Sequence, residues 1–251
     1  MLGMLSAALI LRHGGWDIPG RGASGARLRL IDSGRATTLE AERLCLAGVD
    51  VFTSDKAGRT LADWIILAKA AEKGGGSVAH FQHGPLISSP PAGVPSFEDL
   101  KEAARLGIRI YLSDKTEKRL ADEIIVLAEA SRDGGRRLGF YHHGPEEPWL
   151  LELARRGAWI HVSPDLPAAS APSPLLLEVA SEAAARGAGL VVHVEQAASE
   201  TALEDLREAG AYLLFRTPPS DYRSPLRPLE EKAARRLPDS TASYLYSEFM
   251  R

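Results

Sequence analysis

The chain has 251 residues, 45% of them hydrophobic and 25% charged, and carries a net charge of −3. That balance fits a folded globular protein with a sizeable core and argues against a dedicated nucleic-acid binder, which would be strongly basic. Cys45 is the sole cysteine, so no internal disulfide can form and a reducing, cytoplasmic setting is expected. No apolar run reaches the length of a membrane span.

The opening "MLGMLSAALILRHGG" lacks the basic leading region and cleavage-type site of a secretory signal, so it reads as a buried strand over 6–12. The stretch from 14 to 36 is rich in glycine and holds Arg21, Arg27, Arg29 and Arg35. It reads as a long loop, either a solvated insertion or a lid able to close over a carboxylate or phosphate. A helix is predicted over 38–47, started by Thr37 with Glu40 three positions on, and followed by Gly48. A strand over 49–54 ends in Ser54-Asp55-Lys56, and a helix over 60–73 follows. Strand-length runs recur at 77–82, 108–113, 137–142, 158–163, 189–194 and 211–216. Helical segments lie between and after them at 96–106, 117–132, 147–156, 174–186, 199–209 and 228–236. Ser96 with Asp99 and the lone Ser199 look like caps.

One stretch is duplicated. Slid without gaps onto 110–135, residues 51–76 match at eleven of 26 positions, including Ser54-Asp55-Lys56 with Ser113-Asp114-Lys115. With one residue inserted, "FQHGP" at 81–85 meets "YHHGP" at 141–145. Eight strands alternate with eight helices, and strands joined through helices run parallel. This pattern resembles a (βα)8 (TIM) barrel, an α/β fold in which residues 1–251 would form a single domain; an open doubly wound sheet is the competing architecture. The resemblance implies a functional face at the C-terminal ends of the strands. It names no activity.

Polar residues gather at those ends. His13, His83 and His143 fall at equivalent positions of strands 1, 3 and 5, and Glu195 takes that position on strand 7. Alternate strands of such a barrel feed one layer, so these four make a first candidate site for a divalent metal ion (zinc, manganese or magnesium). Shifted by one residue, the ring becomes Arg12, Gln82, His142 and Val194, a poorer metal site but a good anion pocket. The even strands supply Asp55, Lys56, Asp114, Lys115, His161 and Arg216, with Arg223 beyond, while His193 lies on strand 7. Asp55 or Asp114 would serve as a general base, His142 as a proton carrier, and Lys56 or Lys115 as anion partner or Schiff-base former. Arg12, Gln82, His161, His193, Arg216 and Arg223 are the candidate substrate contacts. The aspartates and several histidines have a plainer reading as well. The aspartates would cap the next helices, and His80, His161 and His193 would be satisfied core residues.

Known families do not absorb these motifs. Arg12-His13 reverses the His-Arg-Gly of glycerophosphodiester phosphodiesterases, and Thr53 stands where those carry a glutamate. The His-x-His of amidohydrolases is missing from strand 1, and no glycine-rich phosphate loop or dinucleotide fingerprint is present. Three functions follow as expectations. The first is metal-assisted hydrolysis of a small polar or anionic molecule. The second is a metal-free lyase or isomerase on a sugar or sugar phosphate. The third is a non-catalytic barrel serving as a binding or assembly subunit, and a homo-oligomer fits any of them.

Overall fold

The apolar runs form strands because each carries β-branched or aromatic residues on both faces and is stopped by a polar, glycine- or proline-containing turn. In the computed structural model of the protein, residues 29–32, 34–86, 95–115, 119–164, 171–194 and 199–215 are described. In chain order they give β1 (Arg29–Ile31), α1 (Thr38–Leu46), β2 (Asp50–Ser54), α2 (Leu61–Gly74), β3 (Val78–Gln82) and α3 (Phe97–Arg105). β4 (Arg109–Ser113), α4 (Ala121–Asp133), β5 (Gly139–His142), α5 (Trp149–Arg155) and β6 (Trp159–Val162) follow. α6 (Pro174–Ala185), β7 (Leu190–Val194), α7 (Glu200–Glu208) and β8 (Tyr212–Phe215) complete the described elements. The eight strands lie in sequence order, β1 to β8, in one sheet, and every described pairing is parallel. Strict alternation with this order is the signature of the (βα)8 class.

The loop expected over 14–36 needs a correction. β1 pairs with β2 through Arg29↔Asp50 and Leu30↔Val51. It therefore lies inside the stretch expected to be a long loop. The alternation "RLRLID" at 27–32 carries the strand signal, but it is too short to stand out beside the longer apolar run at 6–12. The described sheet thus starts at 29–31 and is followed by Asp32, not His13. The run at 6–12, Arg12, His13 and the helix expected at 228–236 lie outside the described residues.

The duplication also changes register. In α2, Trp64, Leu67, Ala70 and Ala71 are buried; in α4, Ile124, Leu127, Ala130 and Ser131 are. Gly75 and Gly135, each with positive φ, follow the two helices. These equivalences run at an offset of 60, whereas β2 and β4 match at 59. The extra residue therefore lies between Ser113 and the start of α4, and the gapless identities within the helices are one position out. Burial sets this register, because a helix shifted by one residue turns its apolar stripe about 100° away from the sheet.

At the corrected offset Arg59 matches Arg119, and both are 6% exposed. Arg59 reaches back to the turn after β1: Nε and Nη2 donate to Asp32 at 2.7 and 2.6 Å, Nη2 to the Ala36 carbonyl at 2.6 Å, and Nη1 to Thr38 Oγ1 at 2.8 Å. Arg119 Nε donates to the Ser113 carbonyl at 2.7 Å, and its Nη2 reaches the Gly84 carbonyl, after β3, at 2.8 Å. Ser173, before α6, donates to Glu146, after β5. The described turns after β2, β4 and β6 are thus each tied to the odd turn before them.

The described residues divide into two compact units, with the division falling inside β4: one runs to Gln82 and resumes up to Ile110, and the other takes His83–Pro85 and the residues from Tyr111 on. In the first, Trp64 of α2 meets His80 edge-on at 4.6 Å, so His80 faces the helices, and Phe81, one residue on, lies on the opposite face 6.1 Å from Phe52. In the second, Phe140 and His142 meet Trp149 of α5 at 5.4 and 5.8 Å, while Tyr141 points the other way. Close approach on that other face requires glycine. A Cβ on Gly139 would lie 2.3 Å from the Tyr111 ring, and one on Gly189 would lie 2.5 Å from Tyr212 and 2.6 Å from Trp159.

The Asp32 side chain is fully buried beside Arg59. Removing the guanidinium alone strands a buried charge, which costs about 3–5 kcal/mol. Arg59→Met should lower the free energy of unfolding in urea by that amount, and the double variant Arg59→Met/Asp32→Leu should recover most of it.

Candidate functional site

The second unit gathers imidazoles on the sheet face away from the helices. β5 and β6 pair with Tyr141 beside His161, and β6 and β7 pair with His161 beside Val191, which puts His193 two residues further along the same face. The rings close on one another. Tyr141 stacks on His161 at 4.1 Å and 17°, and His161 lies 5.3 Å from His193. His161 Nδ1 and His193 Nε2 are 3.0 Å apart and hydrogen-bonded, one ring donating and the other accepting. Continued past β5, the register carries His143 to the level of His193.

Burial decides the protonation of the pair. Loss of water pulls the His161 pKa down to about 3. Burial, then the charges of His161 and His143, hold His193 well below the ordinary imidazole range. Both rings are therefore neutral at pH 7, and the two outer nitrogens, His161 Nε2 and His193 Nδ1, have opposite roles: one carries a proton and the other a lone pair.

A second network lies on the helix side of β5. Asp114 follows β4, and its backbone N–H extends the ladder to the Tyr141 carbonyl at 3.2 Å. Its Oδ2 faces His142 Nδ1 at 2.6 Å, and its Oδ1 accepts from the His143 backbone N–H at 2.7 Å. His142 Nε2 lies 2.7 Å from the Pro145 carbonyl, so both ring nitrogens face acceptors. Burial lowers the His142 pKa, but the bonds to Asp114 and Pro145, with the charges of Asp114 and Glu147, outweigh it and raise the value. Glu147 accepts from Trp149 Nε1 at 2.6 Å, which fixes the indole against the His142 ring.

The residues expected at the site divide as follows. His161 and His193 come together, and the register carries His143 to the level of His193. Gln82 is buried, with its Oε1 3.0 Å from His80 Nε2, whose Nδ1 lies 3.1 Å from Thr53 Oγ1. Alternation puts Gln82 on the helix side with His80, and His142 lies there too, so neither belongs to the face that carries Tyr141 and His161. His83 is half-buried just beyond β3, with its carbonyl 3.4 Å from Arg119 Nη2. Asp55 is half-buried at the start of a 3₁₀ turn spanning Asp55–Ala57; Lys56 and Lys115 are exposed. Neither aspartate caps a helix. Thr60 with Asp63 caps α2, and α4 follows Leu120, which provides no side-chain cap. Arg12, His13, Glu195, Arg216 and Arg223 lie outside the described residues, so two of the four expected metal ligands do as well. Among the described residues no group of three or more histidines, cysteines or carboxylates is arranged to hold a metal ion.

The His161–His193 pair was legible only in part. Both residues sit in a His-Val step near a strand end, "IHVS" at 160–163 and "VHVE" at 192–195. Counting parity on neighbouring parallel strands puts them on one face, but nothing local to either strand says that the rings meet.

No family model and no curated protein matches the chain. Among solved structures, the deoxyribose phosphate aldolase of Aeropyrum pernix is 16% identical, covering 74% of this chain and 82% of its own, with a TM-score of 0.36. The 3-dehydroquinate dehydratase of Aquifex aeolicus is 13% identical, covering 84% and 98%, with a TM-score of 0.36. The D-psicose 3-epimerase of Clostridium cellulolyticum is 11% identical, covering 71% and 78%, with a TM-score of 0.35. The fold assignment rests on strand order and direction. No helix among the described residues is long and apolar enough to cross a membrane.

The two networks predict opposite pH limbs. His161 and His193 have folded pKa values below the unfolded value of 6.5, so stability is complete above that pH and falls as pH drops toward about 3. His142 has a raised folded value, so its contribution is complete below 6.5 and is lost as pH rises through the folded pKa. Urea midpoints across pH should fall on both sides. His161→Phe should flatten the acid limb, at about 1.4 kcal/mol per pH unit for one histidine, and His142→Phe should flatten the alkaline one.

Proposed function

We propose that the protein is a metal-free lyase or isomerase that moves a proton on a small hydroxy-carbonyl molecule of sugar type. The hydrogen bond between His161 and His193, against Tyr141 and near His143, carries this reading. One outer nitrogen of the pair takes a proton from the substrate carbon, a proton crosses the Nδ1···Nε2 bond, and the other outer nitrogen releases one to substrate oxygen or carbon. Protons balance, and each ring ends neutral in its other tautomer.

The His161 pKa of about 3 bears on how the transfer runs. Burial strongly disfavours a charged His161 ring at pH 7. Transfer is therefore coupled along the pair and does not pause on a charged ring. A neutral imidazole also donates a hydrogen bond to a carbonyl without competing for its proton, the pattern of enzymes that polarise a carbonyl with a low-pKa histidine. Lys56 and Lys115 stand in water, without the desolvation that favours a Schiff-base amine, so the histidines take the chemistry in this reading.

The test is exchange of substrate carbon-bound hydrogen in D₂O, followed by NMR over a panel of hydroxy-carbonyl compounds and their phosphate esters. Exchange is expected, with His161→Gln and His193→Gln each slowing it by about 10²-fold or more, and borohydride should leave both lysines unlabelled. Elemental analysis of the same preparation tests the divalent ion expected at His13, His83, His143 and Glu195. Absence of exchange, together with hydrolysis that depends on bound zinc, manganese or magnesium, overturns the reading.

A further inference from the structure

We infer that Asp114 is a positioning residue that sets the place of His143 in the imidazole cluster, and that it acts through its hydrogen-bond acceptors. The inference rests on the proton-transfer reading for its functional meaning, though not for its geometry. Asp114 belongs to the turn after β4, and the residues it holds belong to the end of β5. Its two oxygens take different partners there: Oδ1 the His143 backbone N–H at 2.7 Å, and Oδ2 the His142 ring at 2.6 Å. The Pro145 carbonyl closes the other side of that ring at 2.7 Å. One carboxylate thus fixes two consecutive residues whose side chains serve opposite faces of the sheet.

The consequence follows from the reach of a peptide unit. Tyr141 is locked in β5 by stacking on His161, and His143 comes two residues later, past the last strand residue. The ladder ends at His142, paired with Val162. Beyond it, the His143 N–H is held by Asp114. Continued one residue past the ladder, the register sets His143 level with His193 on this face, so any swing of this peptide moves one member of the cluster against the other two. The plain alternative is that Asp114 only caps a turn and His143 keeps its place without it.

Asparagine separates these cases. Its carbonyl oxygen can accept from the His143 N–H, and its amide can donate to His142 Nδ1 while Nε2–H donates to Pro145. Geometry survives and only the charge is lost. Alanine removes both bonds. The experiment uses the full-length protein without substrate. It measures amide hydrogen exchange at His143 and the NMR ring signals of His143, His161 and His193. Asp114→Ala should speed exchange at the His143 amide by at least about tenfold and shift the His143 and His193 ring signals. Asp114→Asn should keep both near those of the unmodified chain. Should Asp114→Ala not fold, Asp114→Ser, too short to bridge both partners, carries the same expectation. Unshifted rings in the alanine or serine variant overturn the inference, and so does an asparagine variant as disturbed as alanine. The substrate assay separates the two readings. Moved rings in a protein that exchanges no substrate hydrogen leave this inference standing and remove the proton-transfer reading.

Discussion

A side chain that reaches backwards ties each described pair of βα turns. Arg59 spans from the start of α2 to Asp32, Arg119 from the start of α4 to Gly84, and Ser173 from the start of α6 to Glu146. The arginines are buried, so their hydrogen bonds are not traded against water at equal cost, and losing a partner leaves a desolvated group behind. The rest of the strand-end architecture leans on these ties. The turn that Arg119 holds contains His83, and the turn with Glu146 also contains Glu147, which orients Trp149 against His142.

The ties also match the period of the duplication. A single βα step would leave each arginine without the turn it holds, whereas two steps contain both ends of the bond. The offset of 60 between Arg59 and Arg119 spans two strands and two helices. The first copy uses a carboxylate as the acceptor and the second uses backbone carbonyls. Position has been retained while the chemistry of the partner has changed, as expected when the guanidinium supplies several donors in a fixed fork.

Much of the fold was legible because its signals are local. Capping boxes at Thr37–Glu40 and Ser96–Asp99, and the glycines after several helix ends, mark boundaries within a few residues of where they fall. What escaped was set at a distance. β1 is three residues long and has too little pattern of its own; pairing with β2 defines it. The helical register of the duplication was hidden because Leu61 and Leu120 are alike in type, while Thr60 and Leu120 are alike in position, each standing just before its helix. Identity and burial then disagree, and burial sets the fold. At the site, the strand-end histidines were visible as a group, but sequence placed His83 and His143 at one level and left His161 and His193 as contacts or core. Their meeting depends on the register of β5, β6 and β7 and on space on that face, where any side chain on Gly139 or Gly189 would collide with a neighbouring ring.

The paired imidazoles have a symmetry of their own. Two identical rings joined by one hydrogen bond present the same outline whichever of them donates, because exchanging the roles shifts hydrogens and leaves every heavy atom where it was. The pair can therefore carry a donor on one outer nitrogen and an acceptor on the other, or the reverse, without repacking the rings stacked beside it. One arrangement of heavy atoms thereby holds two electrostatic patterns, and only where the hydrogens rest tells them apart.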